Sequence, residues 1–95
     1  MLFRSFSAIH TPGHTAGHVS YLLDRAGGVL FVGDAAGGGR GGKVHRTPRF
    51  FTDDTASAAT SVARLATLEF EVAVFGHGRA VTGRAIDRFR ELAAR

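Results

Sequence analysis

With 95 residues, no cysteine, 44% apolar and 21% charged residues, the chain is one globular domain at most, and no disulfide or cysteine-ligated zinc offsets its small core. Its longest apolar runs, Val29 to Val32 and Val72 to Phe75, span four residues against roughly 20 for a membrane helix, and Met1 to Phe6 lacks a secretory signal pattern, so a cytoplasmic protein without a membrane span is expected. A net charge of +4 and a pI near 11.1 would permit nucleic-acid contact, but the twelve basic residues, eleven of them arginine, are scattered as on a solvated surface.

Residues 3–10 form a mixed apolar and polar pattern that predicts a strand ended by Thr11-Pro12-Gly13. Val19 to Asp24 is β-branched and aromatic, and Asp24-Arg25-Ala26-Gly27-Gly28 is a turn signal, so a hairpin to Val29–Val32 is expected. That second strand is apolar on both faces, which fits an interior strand covered on two sides. Residues 35–49, with the Gly/Arg-rich stretch 37–49, read as loop. Thr52 or Asp53 is a candidate N-cap for a helix over about 54–68, with Ala58, Val62, Leu65 and Ala66 as its apolar stripe. Val72–Phe75 predicts another buried strand. Thr82 or Gly83 then starts a final helix with Ala85, Ile86, Phe89, Leu92 and Ala93 on one side. The class is α/β.

Three residues of metal-ligand type stand at the ends of apolar segments, each directly after a glycine: His14, Asp34 and His77. Strand ends bring loops together on the rim of a sheet, and glycine permits a sharp turn and close approach. Imidazole and carboxylate suit Zn, Fe or Mn. Each residue also has a plainer reading: Asp34 as a turn carboxylate and His77 as an exposed loop histidine. His10, His14 and His18 recur every fourth residue, but Pro12, Gly13 and Gly17 speak against a helix that would stack them. His45 reads as solvated.

The strings His10-Thr11-Pro12-Gly13-His14-Thr15-Ala16-Gly17-His18, Val32-Gly33-Asp34-Ala35 and Phe75-Gly76-His77-Gly78 resemble, in order and spacing, the last three metal motifs of the metallo-β-lactamase-fold hydrolases. The resemblance implies an α/β half of an αββα sandwich, with residues 1–95 as the C-terminal portion of such a domain. It also implies a zinc site of one or two ions, Fe or Mn being alternatives. His14 would belong to the first ion, Asp34 would bridge the two, and His77 would belong to the second. Thr15 and His18 become candidates for second-sphere support or substrate contact; His18 is equally a strand-start histidine bonded to backbone. The TPGHTxGH string followed by a tyrosine-containing strand is similar to glyoxalase II and its relatives, whereas Gly33-Asp34-Ala35-Ala36 looks more like a generic hydrolase.

The function implied is hydrolysis of an ester, thioester, lactone, lactam or phosphodiester of a small-molecule substrate by metal-bound hydroxide. The family's H-x-H-x-D-H motif has no counterpart before His10. An incomplete site is therefore expected, completed by an N-terminal half or a homo-oligomer partner, along with an uncovered apolar surface. Two other classes stand beside this one: a non-enzymatic remnant, and a basic nucleic-acid-binding module using Gly37 to Arg49, the less favoured reading.

Overall fold

The computed structural model describes residues 6–95. Residues 3–5, at the start of the first expected strand, lie outside the described residues. A five-stranded mixed sheet forms one layer and two helices pack on one of its faces. The strands are β1 (Phe6–His10), β2 (Val19–Leu23), β3 (Val29–Gly33), β6 (Val72–Phe75) and β7 (Val81–Thr82), in that spatial order. A separate hairpin pairs β4 (Ala36–Gly38) with β5 (Val44–Arg46). The helices are α1 (Thr55–Leu65) and α2 (Ala85–Ala93). No helix among the described residues is long and apolar enough to cross a membrane.

The period-2 alternation of the strands divides the sheet into two unlike faces. Register aligns Ser7, Leu22, Leu30, Ala73 and Val81 in one row and Ala8, Tyr21, Phe31 and Val74 in the next. The first row faces the helices, where Leu30, Ala73, Val62, Leu65, Ile86 and Phe89 are buried. Phe70 and Phe89 meet edge to face there, with ring centroids 5.2 Å apart. The face that carries the second row is open: Tyr21 is 47% and Phe31 39% exposed, and Phe6, two residues from Ala8 on β1, is 61% exposed. β3 and β6 are interior strands, as their composition predicts, but the described residues cover only one of their faces.

Local competition for backbone groups moves several element ends from where the sequence pattern puts them. The N-cap of α1 is Asp54, not Thr52 or Asp53; its carboxylate accepts from the Ser57 N–H at 3.0 Å and the Ser57 hydroxyl at 2.9 Å. The helix stops at Leu65, and residues 66–68 tighten into turns, with Thr67 N–H on Arg64 O and Leu68 N–H on Leu65 O. Likewise α2 starts at Ala85 because Thr82 is held in β7 opposite Val72. The stretch 37–49 is not loop throughout: it contains the end of β4, all of β5 and a short 3-10 turn at Arg40–Gly42. Arg46 reaches across it to donate to Leu92 O at 3.0 Å.

The two faces make opposite predictions for neighbouring residues of β3. Leu30→Ala should cost about 2–5 kcal/mol in denaturant unfolding. Phe31→Ala removes a larger side chain and should cost less than half as much, because that ring is already partly in water. Equal losses would show that the outer face is covered too.

Candidate metal centre

Three turns converge at the ends of β1, β3 and β6. The first, His10 to His18, is docked on α1: Ser61 Oγ donates to Pro12 O at 2.7 Å and Asp54 N–H to Gly13 O at 2.9 Å. The buried Ser61 lies beside the expected apolar stripe of α1, and its hydroxyl explains why a polar residue sits there. The second turn follows Gly33, whose φ of 64° lies in the left-handed region. A Cβ there would also come within 2.6 Å of His18 Nε2, so only glycine fits. The third turn, Gly76–Arg79, is pinned by β4: Gly38 N–H donates to His77 O at 3.3 Å and Arg79 N–H to Gly38 O at 3.2 Å. Gly76 must be bare as well, since a Cβ on it would lie 2.7 Å from Asp34 Oδ1.

The Asp34 carboxylate sits between the other two sequence candidates. His77 Nδ1 is 2.9 Å from Oδ1 and His14 Nε2 is 3.6 Å from Oδ2. The far nitrogen of His14, Nδ1, bonds to the carbonyl of Phe51, in a 3-10 turn at Arg49–Phe51. A carbonyl only accepts, so Nδ1 carries the proton, and in the neutral ring Nε2 presents a lone pair toward a carboxylate. That arrangement calls for a proton or a cation between them. A histidine whose second nitrogen donates to a backbone carbonyl is the usual arrangement of a metal ligand. The donors therefore suit a divalent ion in kind. They fall short in number: no group of three or more donors among the described residues is disposed to hold an ion.

His18 contacts the site through the Asp34 backbone. Its Nε2 accepts the Asp34 N–H at 2.9 Å, so Nδ1 holds the proton and donates to Thr11 Oγ1 at 2.9 Å. The chain continues: Thr11 hydroxyl to Ser20 Oγ at 2.9 Å, and Ser20 hydroxyl to Val32 O at 3.0 Å. Thr11 and Ser20 are buried, and this relay satisfies them. His18 is thus both the backbone-bonded strand-start histidine and a support for Asp34. Thr15 is exposed and gives its carbonyl to the turn, accepting from Gly13 N–H and His18 N–H.

Sequence reasoning passed over Phe51, which orients His14, and over Thr47, whose hydroxyl donates to Asp34 O at 2.6 Å. Neither belongs to a recognisable string. His45, read as solvated, is exposed, and β5 brings it to the same cleft. This cleft, about 430 Å³, opens over His14, Asp34 and His77 and is walled by Ala36, Gly37, His45, Thr47, Pro48 and Phe51. A larger neighbouring cleft of about 570 Å³ shares Thr47 and Pro48 but contains none of the donors.

Burial is the main cause that lowers the His18 pKa below its ordinary value; the Asp34 charge opposes it and the His14 charge adds to it. The neutral ring is thus the folded form. Its stability contribution should be complete above the unfolded value of about 6.5 and should fall away as pH drops toward the lower folded value. A pH titration of the His18 imidazole by NMR should give a midpoint below that of an unstructured histidine, and a midpoint above it would contradict the relay.

The model of the metallo-β-lactamase superfamily matches residues 1–77. A probable metallo-hydrolase, YflN of Bacillus subtilis (strain 168), is 42% identical over 86 residues, covering 80% of this chain and 32% of the relative. Among solved structures, the archaeal metallo-β-lactamase superfamily protein ST1585 from Sulfolobus tokodaii matches with a TM-score of 0.69 and 31% identity, over 93% of this chain and 33% of that one. The family protein TTHA1429 from Thermus thermophilus gives 0.66 and 29%, over 94% and 29%. The chain spans about a third of the length of these relatives. With its family model matched over most of its length and its α/β layer shared with solved members, the chain belongs to the metallo-β-lactamase superfamily.

Proposed function

We propose that this chain carries part of the site of a metal-dependent hydrolase acting on a small-molecule carbonyl ester, thioester or lactone. The observation behind this reading is the Asp34 carboxylate flanked by His14 and His77, with His14 oriented from behind by the Phe51 carbonyl. His14, Asp34 and His77 would each supply one donor to a metal site that needs more than these three, and zinc, iron or manganese would suit imidazole with carboxylate. When bound, such an ion supplies Lewis acidity and brings the pKa of a water molecule toward neutrality. The chain's own residues do the positioning. His18 and Thr47 fix the Asp34 backbone from its N–H and its carbonyl, Phe51 fixes the His14 ring, and β4 fixes the His77 turn. Further donors come from outside the described residues or from water.

Zinc titration by calorimetry tests the assignment. Because Asp34 is shared between two histidines, binding by this chain should be weak and turnover of a generic ester small. His14→Ala, Asp34→Ala and His77→Ala should each lower zinc affinity by about tenfold or more, and His10→Ala should leave it unchanged. Zinc binding indifferent to all three substitutions would contradict the assignment.

A further inference from the structure

The arginines and the cleft are separated to an extent that bears on substrate class. The chain has twelve lysines and arginines, yet none of those among the described residues lines the cleft over Asp34. The segment that walls it, Arg46-Thr47-Pro48-Arg49, contributes only Thr47 and Pro48 there, and its two arginines line the neighbouring cleft beside α1 instead. A phosphodiester keeps a charge on its non-bridging oxygens and is ordinarily met by guanidinium or ammonium donors around the reacting centre. Among the described residues no such donor is present on this wall. The wall offers Phe51, 64% exposed, together with the exposed Pro48, as apolar surface.

Two polar side chains stand on the wall. The Thr47 hydroxyl gives its proton to Asp34 O and keeps only oxygen lone pairs. His45 is exposed, and its Nδ1 lies 3.1 Å from Arg46 O, so Nδ1 carries the proton. The Nε2 lone pair has no hydrogen-bond partner among the described residues. A Cβ on Gly37 would come within 2.4 Å of the His45 Cε1, so glycine opposite this histidine leaves the ring the place it takes against β4.

We propose that His45 and Phe51 determine specificity in this cleft, selecting an uncharged, largely apolar carbonyl compound that carries a hydrogen-bond donor, in preference to a phosphodiester. The compound's apolar part lies on Phe51 and Pro48, and His45 Nε2 accepts its donor. This inference rests on the hydrolase reading for calling the ligand a substrate. The recognition itself needs no ion.

The test is NMR titration of the zinc-free, 15N-labelled chain with benzamide, N,N-dimethylbenzamide and phenyl phosphate. Benzamide should shift the amides of Gly37, His45 and Phe51 and bind at least threefold tighter than either other probe. Phe51→Ala, which keeps the carbonyl that orients His14, should weaken benzamide at least threefold. His45→Ala should remove the preference for benzamide over its dimethyl form, which lacks the donor. In Asp34→Asn, where the carboxylate no longer repels anions, benzamide should still be preferred over phenyl phosphate. Phenyl phosphate binding as well as benzamide in that variant would overturn the proposal, as would benzamide shifts confined to Tyr21 and Phe31 on the open sheet face. Failure here with zinc binding still dependent on His14, Asp34 and His77 removes the specificity and leaves the hydrolase reading. Zinc binding indifferent to those residues, with benzamide recognition intact, does the reverse.

Discussion

The position of Asp34 is the constraint on which the site depends. A carboxylate on a flexible turn would swing into water. This one is held at its own backbone, by N–H to His18 Nε2 and C=O from the Thr47 hydroxyl, so both its peptide groups are fixed before its side chain meets any partner. Those two bonds tie β3 to the turn before β2 and to the segment after β5. Gly33 makes them possible by adopting a left-handed φ and leaving the space that the His18 ring fills. The result is preorganisation: the carboxylate is presented at a set place on the sheet rim, which a ligand of fixed geometry requires.

The rest of the architecture delivers partners to that place. The His14 turn is anchored on α1 through Pro12 and Gly13, and the His77 turn is pinned by β4. The helices bury one face of the sheet, and that packed layer keeps the strand ends still. On the other face the row of Ala8, Tyr21, Phe31 and Val74 stays open, with Phe6 beside Phe31 at a ring-centroid distance of 6.1 Å. Contiguous exposed apolar surface of this kind is rare on a soluble monomer. The site and the open face share β3, so whatever packs on Phe31 touches the strand that carries Asp34.

Much of this could be read from residue order, for physical reasons that differ from place to place. β3 and β6 were legible because four-residue apolar runs that end at a glycine have few other destinations, and α2 because its apolar positions recur with helical period. His14, Asp34 and His77 stood out because each follows a glycine at a strand end. What stayed hidden depends on pairing between distant segments. β4 and β5 carry no apolar alternation, and Gly38 gives β4 a close approach to the His77 turn that a side chain would block. Phe51 contributes a backbone carbonyl, which no side-chain pattern reports. The neutral state of His18 follows from burial and from two partners 7 and 16 residues away.

The most direct test of Asp34 as the centre of a two-histidine site is to follow the imidazole nitrogens by long-range 1H–15N NMR during zinc addition. The arrangement predicts that His14 Nε2 and His77 Nδ1 move toward metal-bound shifts together, while His18 keeps a protonated Nδ1 and an Nε2 that accepts from the Asp34 N–H. Zinc shifts at His18 Nε2, or at His10 with His14 and His77 unchanged, would contradict it.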